Sequence, residues 1–470
     1  MVAKTTRSRL GYAGWGFADQ AMSSLSNFGV GLVAARASTA EEFGAFSIAF
    51  ATSVLGVGIS RALVGEVYSV RYSGGGPTIS AASGLDPDSG PDPDGLGELL
   101  EAESEMQGLD ASDGAGAPES EERYPQVAGT LGIALVLGLL AGLACAMAAL
   151  VASGSLRGAL FVLAVGMPFL VVQDVTRFVC ITRRDAFGAT VSDTVWVVGF
   201  VAAIAVLHVT QGGFPSANGA MGAWVVGAAF GALAGCVRLH ALPRLVRGLD
   251  FGRVIWRQST RYFLDWLALG ATVQLAYYVL GFTAGLAVVG EYRAAMLLAG
   301  PLNIVLMGAV MLLVPELTRY RRRTGDRLLK LTVAISVVLI AISVAWIGIV
   351  AVLPDTVLVK LLGDAASSAQ PLLPYVLLWL VTAVLAQGPL VSLRATGDVR
   401  RGTRASIPAA PFQLFALAIG AAVIGGAEGA LVGAAAANVV AGILATYHLI
   451  VATRRGPIEF VDEAPVEAVT

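Results

Sequence analysis

An unusually polar stretch interrupts the first hydrophobic segment of the chain. It reads DQAMSSLSNF at residues 19–28 and holds one carboxylate, two amides and three serines. On a helix with 100° per residue, these polar side chains fall within an arc of about 160°. An ionised Asp facing lipid costs at least about 2.5–3.5 kcal/mol, so this face must point towards protein or water. We therefore predict that Asp19, Gln20, Ser23 and Asn27 line a cavity. Hydrogen bonding between helices is the alternative role, above all for the serines.

Two arginines near the opposite ends of such segments could bind an anion. Arg36 follows the first hydrophobic segment, and Arg293 lies near the start of another, in GEYRAAMLLAGPLN. A guanidinium suits phosphate because it can donate two parallel hydrogen bonds. Both arginines are therefore candidate substrate-binding residues. The alternative is that each extends to the lipid head groups.

Other intramembrane charges have simpler interpretations. Asp174 and Arg177 are three residues apart, which places them on one helix face and predicts a structural ion pair. Asp193 lies close enough to a helix end to be solvated. Asp265 is expected near the start of its helix, at the membrane interface.

The elements that position these residues are membrane helices. The chain has 470 residues, of which 56% are hydrophobic and only 14% charged, against about 25% charged in an average soluble domain. Uninterrupted apolar runs of about twenty residues have the length of membrane-spanning helices. We predict an all-α polytopic membrane protein with about twelve transmembrane helices. The runs are 12–34, 43–65, 127–151, 159–181, 187–208, 219–240, 262–283, 290–314, 331–353, 371–393, 405–425 and 428–451.

The basic residues predict the orientation of these helices. With a cytoplasmic N-terminus, 27 of the 31 Lys and Arg residues fall on the cytoplasmic side, as the positive-inside rule requires. Both termini are then cytoplasmic. The four basic residues on the other side are Arg36, Arg157, Arg293 and Lys360. The three cysteines lie in or at the ends of spans, which favours free thiols over disulfides.

Residues 73–122 differ from the rest of the chain. They contain 13 Asp or Glu, no Lys or Arg, and many Gly and Pro residues. Such a composition cannot bury enough apolar surface to fold, so we predict a disordered acidic insert on the cytoplasmic side. It is either a solvated linker, a docking segment for a partner, or a screen for the basic loops of the chain.

An internal repeat is the next expectation. At an offset of 246 residues, Asp19 aligns with Asp265 and Gly44 with Gly290, and Phe46 aligns with Tyr292. Transporters are often built from repeated halves, and six helices in each half would make the repeats parallel. We predict an N-terminal six-helix lobe at 1–245, a C-terminal six-helix lobe at 246–455 and a cytoplasmic tail at 456–470.

Three stretches resemble a known family. GFADQAMSSLSNFGVGLVAARASTAEEFGAFSIAFA (16–51), DVTRFVCITRRD (174–185) and VGEYRAAMLLAGPLNIVLMGAVMLLVPEL (289–317) are similar to the polysaccharide-flippase branch of the multidrug/oligosaccharidyl-lipid/polysaccharide exporter superfamily. The resemblance implies two six-helix lobes around a central cavity. It also implies a polyprenyl-diphosphate-linked glycan substrate that is flipped from the cytoplasmic to the outer leaflet by alternating access. Arg36 and Arg293 would bind its charged groups, and Asp19 would couple cations or bind sugar.

The partners implied by this resemblance are membrane lipids, the lipid-linked glycan and glycan-assembly proteins, but no nucleic acid. The 28 Arg against 3 Lys residues are typical of a GC-rich bacterial genome, so the expected location is the bacterial plasma membrane. The sequence has no P-loop, HExxH motif or zinc spacing, so we expect no enzyme, no cofactor and no metal site.

Two alternative functions remain open. One is an ion-coupled drug or metabolite antiporter of the same superfamily, which would favour acids over arginines in its cavity. The other is of a different class, a membrane glycan ligase or polymerase. Such an enzyme would be expected to carry a large outer loop, whereas the longest one expected here covers only residues 354–370.

Overall fold

The computed structural model describes residues 2–72, 125–302, 327–395 and 408–454. The predicted acidic insert at 73–122 and the predicted tail at 456–470 lie outside these ranges. Within them the regular structure is helical, and no strand occurs.

Sixteen α-helices follow one another in the described ranges. In the first lobe they are α1 (Val2–Arg36), α2 (Ala40–Ser60), α3 (Glu66–Tyr72), α4 (Pro125–Val151), α5 (Gly154–Thr182), α6 (Ala186–Gln211) and α7 (Ala217–Leu239). Then come α8 (Leu245–Leu269), α9 (Thr272–Ala284), α10 (Leu286–Leu298), α11 (Arg327–Ala351), α12 (Asp355–Leu362), α13 (Ala365–Ala369), α14 (Leu373–Ala395), α15 (Ala409–Val423) and α16 (Gly426–Arg454). A π-helical turn at Arg61–Gly65 joins α2 to α3, and a 3₁₀ turn at Gln370–Leu372 precedes α14.

Eight of the described helices are long and apolar enough to cross a membrane. The other four predicted spans deviate for separate physical reasons. In α1, the polar residues at 19–27 lower the hydropathy. The seventh predicted span is divided between α8 and α9 by Gly270 and Ala271. The described part of the eighth ends at 302, and α15 has only 15 residues.

Sequence signals account for several helix ends. Thr39 caps α2 in a capping box, because its side chain accepts a hydrogen bond from the Glu42 amide while the Glu42 carboxylate accepts from the Thr39 amide. Asp185 caps α6 by accepting from the Gly188 amide at 3.0 Å. Cys145, Cys180 and Cys236 are buried free thiols, which confirms the prediction that they form no disulfide.

The two lobes repeat one pattern of helix packing. In the first lobe α4 packs on α5, α6 on α7, and α5 on α7. In the second lobe α11 packs on α14, α15 on α16, and α14 on α16. The first and fifth predicted spans of each lobe also pack together: α1 packs on α6, and α9, the second part of the seventh span, packs on α15. This architecture is the predicted all-α, two-lobed bundle, and the lobe boundary at 245 remains a prediction.

A glycine seam joins the lobes where α2 crosses α10. A Cβ atom on Gly44 would overlap the backbone oxygen of Leu286, and one on Gly290 would overlap the backbone oxygen of Ala40. These two contacts are related by the offset of 246 residues, since 40 aligns with 286 and 44 with 290. The contact is therefore reciprocal, as between two copies related by a two-fold axis.

Candidate substrate site

A buried network of charges connects α1, α5 and α6. The Arg177 Nε donates to Asp19 Oδ2 at 2.7 Å, and its Nη2 lies 2.6 Å from the same oxygen. Arg177 Nη2 also donates to Gln20 Oε1 at 3.2 Å. Asp193 Oδ2 lies 3.6 Å from Arg177 Nε. All three charged residues are at least nine-tenths buried, so their mutual attraction is screened little by water.

Polar neighbours on α5 and α6 hold Asp193 in place. Gln173 Nε2 donates to Asp193 Oδ1 at 2.7 Å and lies 3.3 Å from the Ser192 hydroxyl. Ser192 in turn donates to the backbone oxygen of Gly231 on α7 at 2.9 Å. Asp193 is only 1% exposed, so the prediction that it is solvated is wrong. Asp193 is near the start of α6, but α7 packs over this turn of the helix and shields the side chain from water.

The predicted ion pair between Asp174 and Arg177 is also wrong. Asp174 instead pairs with Arg61, whose Nε donates to Asp174 Oδ2 at 2.8 Å while Nη2 contacts Oδ1 at 2.5 Å. A spacing of three residues places two side chains on one helix face. It does not determine whether they pair with each other or with residues of other helices. Here two better partners exist, and each charge on α5 binds a residue of another helix.

The π-helical turn places Arg61 in this arrangement. In a π-helix the backbone bonds run from residue i to i+5, and the amide of Glu66 donates to the oxygen of Arg61 in this way. Such turns are rare in proteins overall, but those that occur are frequently at functional sites. From the sequence, Arg61 counts only among the basic residues on the predicted cytoplasmic side. Its direction towards α5 depends on tertiary packing, which a single sequence does not reveal.

The network contains more negative than positive charge. Its carboxylates are Asp19, Asp174 and Asp193, and its guanidiniums are Arg61 and Arg177. Two carboxylate oxygens, Asp19 Oδ1 and Asp193 Oδ2, are buried and lack a hydrogen bond among the described residues. Either of these two oxygens can therefore accept a proton.

The other predicted residues of α1 lie on a half-exposed face. Gln20 is exposed, and Ser23 and Asn27 are half-buried. Farther along the helix the same side contacts the second lobe, since Gly31 packs against Leu297 and Phe28 against Gly300. Ser26, by contrast, is buried and accepts a hydrogen bond from Trp224 Nε1 at 3.0 Å, the packing role expected for the serines.

Arg293 lies in the seam between the lobes, surrounded by aromatic rings. Its Nη1 donates to the Tyr277 hydroxyl at 3.0 Å, and its Cζ lies 5.0 Å from the centre of the Phe50 ring and 5.6 Å from that of Tyr277. Phe50 is ten residues into α2, about 15 Å from its start. The guanidinium therefore points into the bundle and not towards the head groups. It has no carboxylate partner within the described residues, and its Nε is buried without a hydrogen bond.

Arg36 lies elsewhere, at the last turn of α1. It is exposed, and its Cζ is 4.0 Å from the centre of the Phe214 ring. Its backbone oxygen faces Gly363, where a Cβ atom would lie 2.4 Å away. The structure thus brings together Asp19 and Gln20 but separates Arg36 and Arg293 from them. A binding role for any of the six residues stays a prediction.

The geometry of a metal site is absent from the described ranges, where no group of three or more His, Cys, Asp or Glu could hold a metal ion. Asp265 lies four residues before the end of α8, so the expectation that it lies near the start of its helix is wrong; its side chain is outside the part that the structure describes.

Several solved structures share the overall fold of this chain. No family model matches the sequence, and no curated protein does. An inward-facing structure of a multidrug resistance MATE family transporter of the MOP superfamily shares 15% identity, covers 92% of this chain and 94% of its own, and gives a TM-score of 0.61. An outward-facing structure from the same family shares 14% identity, covers 95% of this chain and 96% of its own, and gives 0.50. The lipid II flippase MurJ, in an inward closed conformation, shares 12% identity over 87% of this chain and 89% of its own, with 0.51. At such low identities the likeness concerns fold alone, and on that basis this chain is a multi-pass membrane protein with the fold of MOP-superfamily transporters.

Proposed function

We propose that this chain is a bacterial plasma-membrane transporter that moves a lipid-linked oligosaccharide or polysaccharide precursor from the cytoplasmic to the outer leaflet by alternating access. The observation that carries the proposal is Arg293. Its guanidinium lies between the lobes, inside the bundle, and lacks a carboxylate partner among the described residues. A cation in that position suits an anionic substrate group such as a diphosphate.

In this proposal the central cavity opens to the cytoplasm, and the contacts of α1 and α2 with the second lobe near the predicted outer end support it. Near the predicted outer end, α2 and α10 meet at Gly44 and Gly290, and α1 meets the second lobe at Phe28 and Gly31. Nearer the opposite end of α1, the same side carries the exposed Gln20. Along α1, contacts with the second lobe are thus found near the predicted outer end, at Phe28 and Gly31, while Gln20 is exposed, as expected for a transporter closed to the outside.

In this proposal the polar residues of α1 provide hydrogen bonds to sugar hydroxyls along the path. Asp19, held by Arg177, is the group that a coupling cation would compete for. Arg36 would meet the substrate at the outer rim, where it now rests on Phe214. Both termini would be cytoplasmic because of the distribution of Lys and Arg.

The test is genetic and chemical. In a strain that lacks this chain, lipid-linked oligosaccharides are extracted and the surface glycan is measured. We expect the precursor to accumulate and the surface polymer to be lost, with rescue by the intact chain. The Arg293→Gln variant should insert normally and fail to rescue. Arg157→Gln is the matched control, since Arg157 is also basic, lies on the same predicted side, and its side chain bonds only to the backbone oxygen of Ala152 among the described residues. Unchanged glycan lipids would reject the flippase proposal.

A second candidate is an ion-coupled drug or metabolite antiporter. The excess of carboxylates over guanidiniums in the buried network favours it, because such a site suits a cationic substrate or an exchanged cation. This candidate predicts increased drug sensitivity in the same strain, normal glycan lipids, and ion-driven uptake in vesicles that depends on Asp19 and not on Arg293.

A further inference from the structure

Helix α8, which links the two lobes, presents three different faces. Phe251, Ile255 and Tyr262 are buried on one face. Leu245, Leu249 and Trp256 form an exposed apolar row on the second. The third face is polar and exposed, with Arg247, Arg253, Arg257 and Arg261 beside a single carboxylate, Asp250.

The buried face fixes α8 against the first lobe, at the end where α4 begins. Gly248 packs against Gly132 so closely that a Cβ on Gly248 would overlap the backbone of Gly132 and Ile133. Farther along, the Ser259 hydroxyl donates to the backbone oxygen of Leu63 at 2.6 Å. The first part of α8 thus lies beside the ends of membrane helices that the Lys and Arg distribution predicts to be cytoplasmic.

None of the described residues covers the exposed apolar row. Trp256 is 66% exposed, Leu249 51% and Leu245 46%. Leaving such side chains in water forgoes the favourable free energy of burial that each would gain in an apolar medium. Beside membrane helices that medium is the acyl region of the leaflet, and a Trp at this depth is typical of the membrane interface.

The arginine face lies next to this row. Arg253 pairs with Asp250 at 3.2 Å, whereas Arg247, Arg257 and Arg261 have no ion pair within the ranges that the structure describes. A helix with a Leu and Trp side and an Arg side is the pattern of an interfacial helix that attracts anionic lipids.

We propose that α8 is an anionic-phospholipid-binding surface, with Leu245, Leu249 and Trp256 in the acyl region of the cytoplasmic leaflet and the arginines on lipid phosphates. Charge complementarity selects this occupant: the exposed polar face carries four arginines against one aspartate. Because α8 joins the lobes, lipid bound there contacts the connection that must follow any movement between them.

The test uses the full chain in nanodiscs with lipids brominated near the top of the acyl chain. The fluorescence of Trp256 is isolated as the difference between the intact chain and Trp256→Phe. Brominated phosphatidylglycerol and brominated phosphatidylcholine are compared at equal mole fraction. We expect phosphatidylglycerol to quench Trp256 more strongly, with the lipid preference falling up to about fivefold for each arginine removed.

The variant with Arg257→Gln and Arg261→Gln should lose much of that preference while both lipids still quench Trp256. The matched control carries Arg157→Gln and Arg184→Gln, two exposed arginines outside α8, and should keep the preference. High salt should weaken the preference of the intact chain. Elution profiles on size exclusion verify that each variant is folded.

Three results would overturn the proposal. Equal quenching by both lipids means that the arginines select no anionic lipid. No quenching by either means that the apolar row is covered, and a dimer in the same sample would identify a second copy as the cover. A preference that emerges only after deletion of residues 73–122 means that the acidic insert, and not lipid, occupies the arginines.

Discussion

The two lobes share their packing but not their charges. The four helices α4–α7 include Asp174, Arg177 and Asp193, which form a buried charge network with Arg61 and Asp19. The helices that pack alike in the second lobe carry no Asp, Glu, Lys or Arg at 331–351, 373–393, 409–423 or 429–452. Hydrogen bonds between side chains within these stretches join neutral groups, such as the Thr332 and Ser392 hydroxyls, which are 2.6 Å apart. Packing alone therefore does not require buried charge, which indicates that the first lobe keeps its network for another reason.

The largest effect should come from removing the central cation of the network. Arg177→Met would leave Asp19 and Asp193 buried without a counter-charge, which typically costs about 3–5 kcal/mol of stability. Denaturation of the purified chain in detergent measures it. The matched control is Arg293→Met, which strands no carboxylate among the described residues and should change stability much less. Equal losses from both variants would contradict the contrast between the lobes.

Substitution of either glycine in the seam between the lobes should lower stability by a similar amount. Gly44→Ala and Gly290→Ala each place a methyl group onto the opposing backbone, so each should cost at least about 1–3 kcal/mol. Because both act at one contact, the double variant should cost less than the sum. Gly348→Ala, where nothing lies within 4 Å of the added Cβ, is the control. Additive or very unequal losses would argue against a reciprocal seam.

Asp19→Asn separates the charge of Asp19 from its shape. The amide oxygen can still accept from Arg177, so stability should fall by only about 1–2 kcal/mol, less than for Arg177→Met. Transport should nevertheless be impaired, because in the proposed function the charge of Asp19 couples transport to a cation. Export or uptake at matched protein level measures it. Normal transport by this variant would remove Asp19 from the site.

The smallest effect on stability should come from an exposed ion pair outside the buried network, between Arg238 and Asp185. Arg238 Nε donates to Asp185 Oδ2 at 2.8 Å. Partial burial opposes ionisation of Asp185, but the hydrogen bonds from Arg238 and the Gly188 amide outweigh it, so the pKa of Asp185 lies below its usual value. A lowered folded-state pKa gives stability that is present above the unfolded-state pKa, about 3.9, and is lost as the pH falls through the folded-state value.

The pair is exposed, so it should contribute no more than about 1 kcal/mol. We expect Arg238→Gln to lower stability slightly at neutral pH and to have little effect at the acid end of that range. Unfolding curves of both chains across the acid range measure the difference. A gap that widens towards low pH would contradict the assigned sign.

The amino-acid sequence predicted the features that depend on local residue patterns. Hydropathy located the helices, and the polar arc of α1 identified Asp19 and Gln20, which do meet at one guanidinium. Sequence did not predict partners across helices. The i, i+3 spacing of Asp174 and Arg177 suggested a pair, yet tertiary packing offered each a closer one. The cover of Asp193 by α7 and the aromatic surroundings of Arg293 likewise depend on contacts between segments far apart in sequence.

The π-helical turn at Arg61–Gly65 has an evolutionary consequence. A π turn is equivalent to one residue inserted into an α-helix, so the faces before and after it are out of phase by about 100°. Before it, α2 presents Gly44 to the second lobe; within it, Gly65 packs on Phe178, and the backbone oxygen of Leu63 accepts a hydrogen bond from Ser259. A single-codon insertion is enough to let one helix serve two surfaces that a regular helix could not address together. Deletion of one codon here would restore a regular helix and force it to give up one of them.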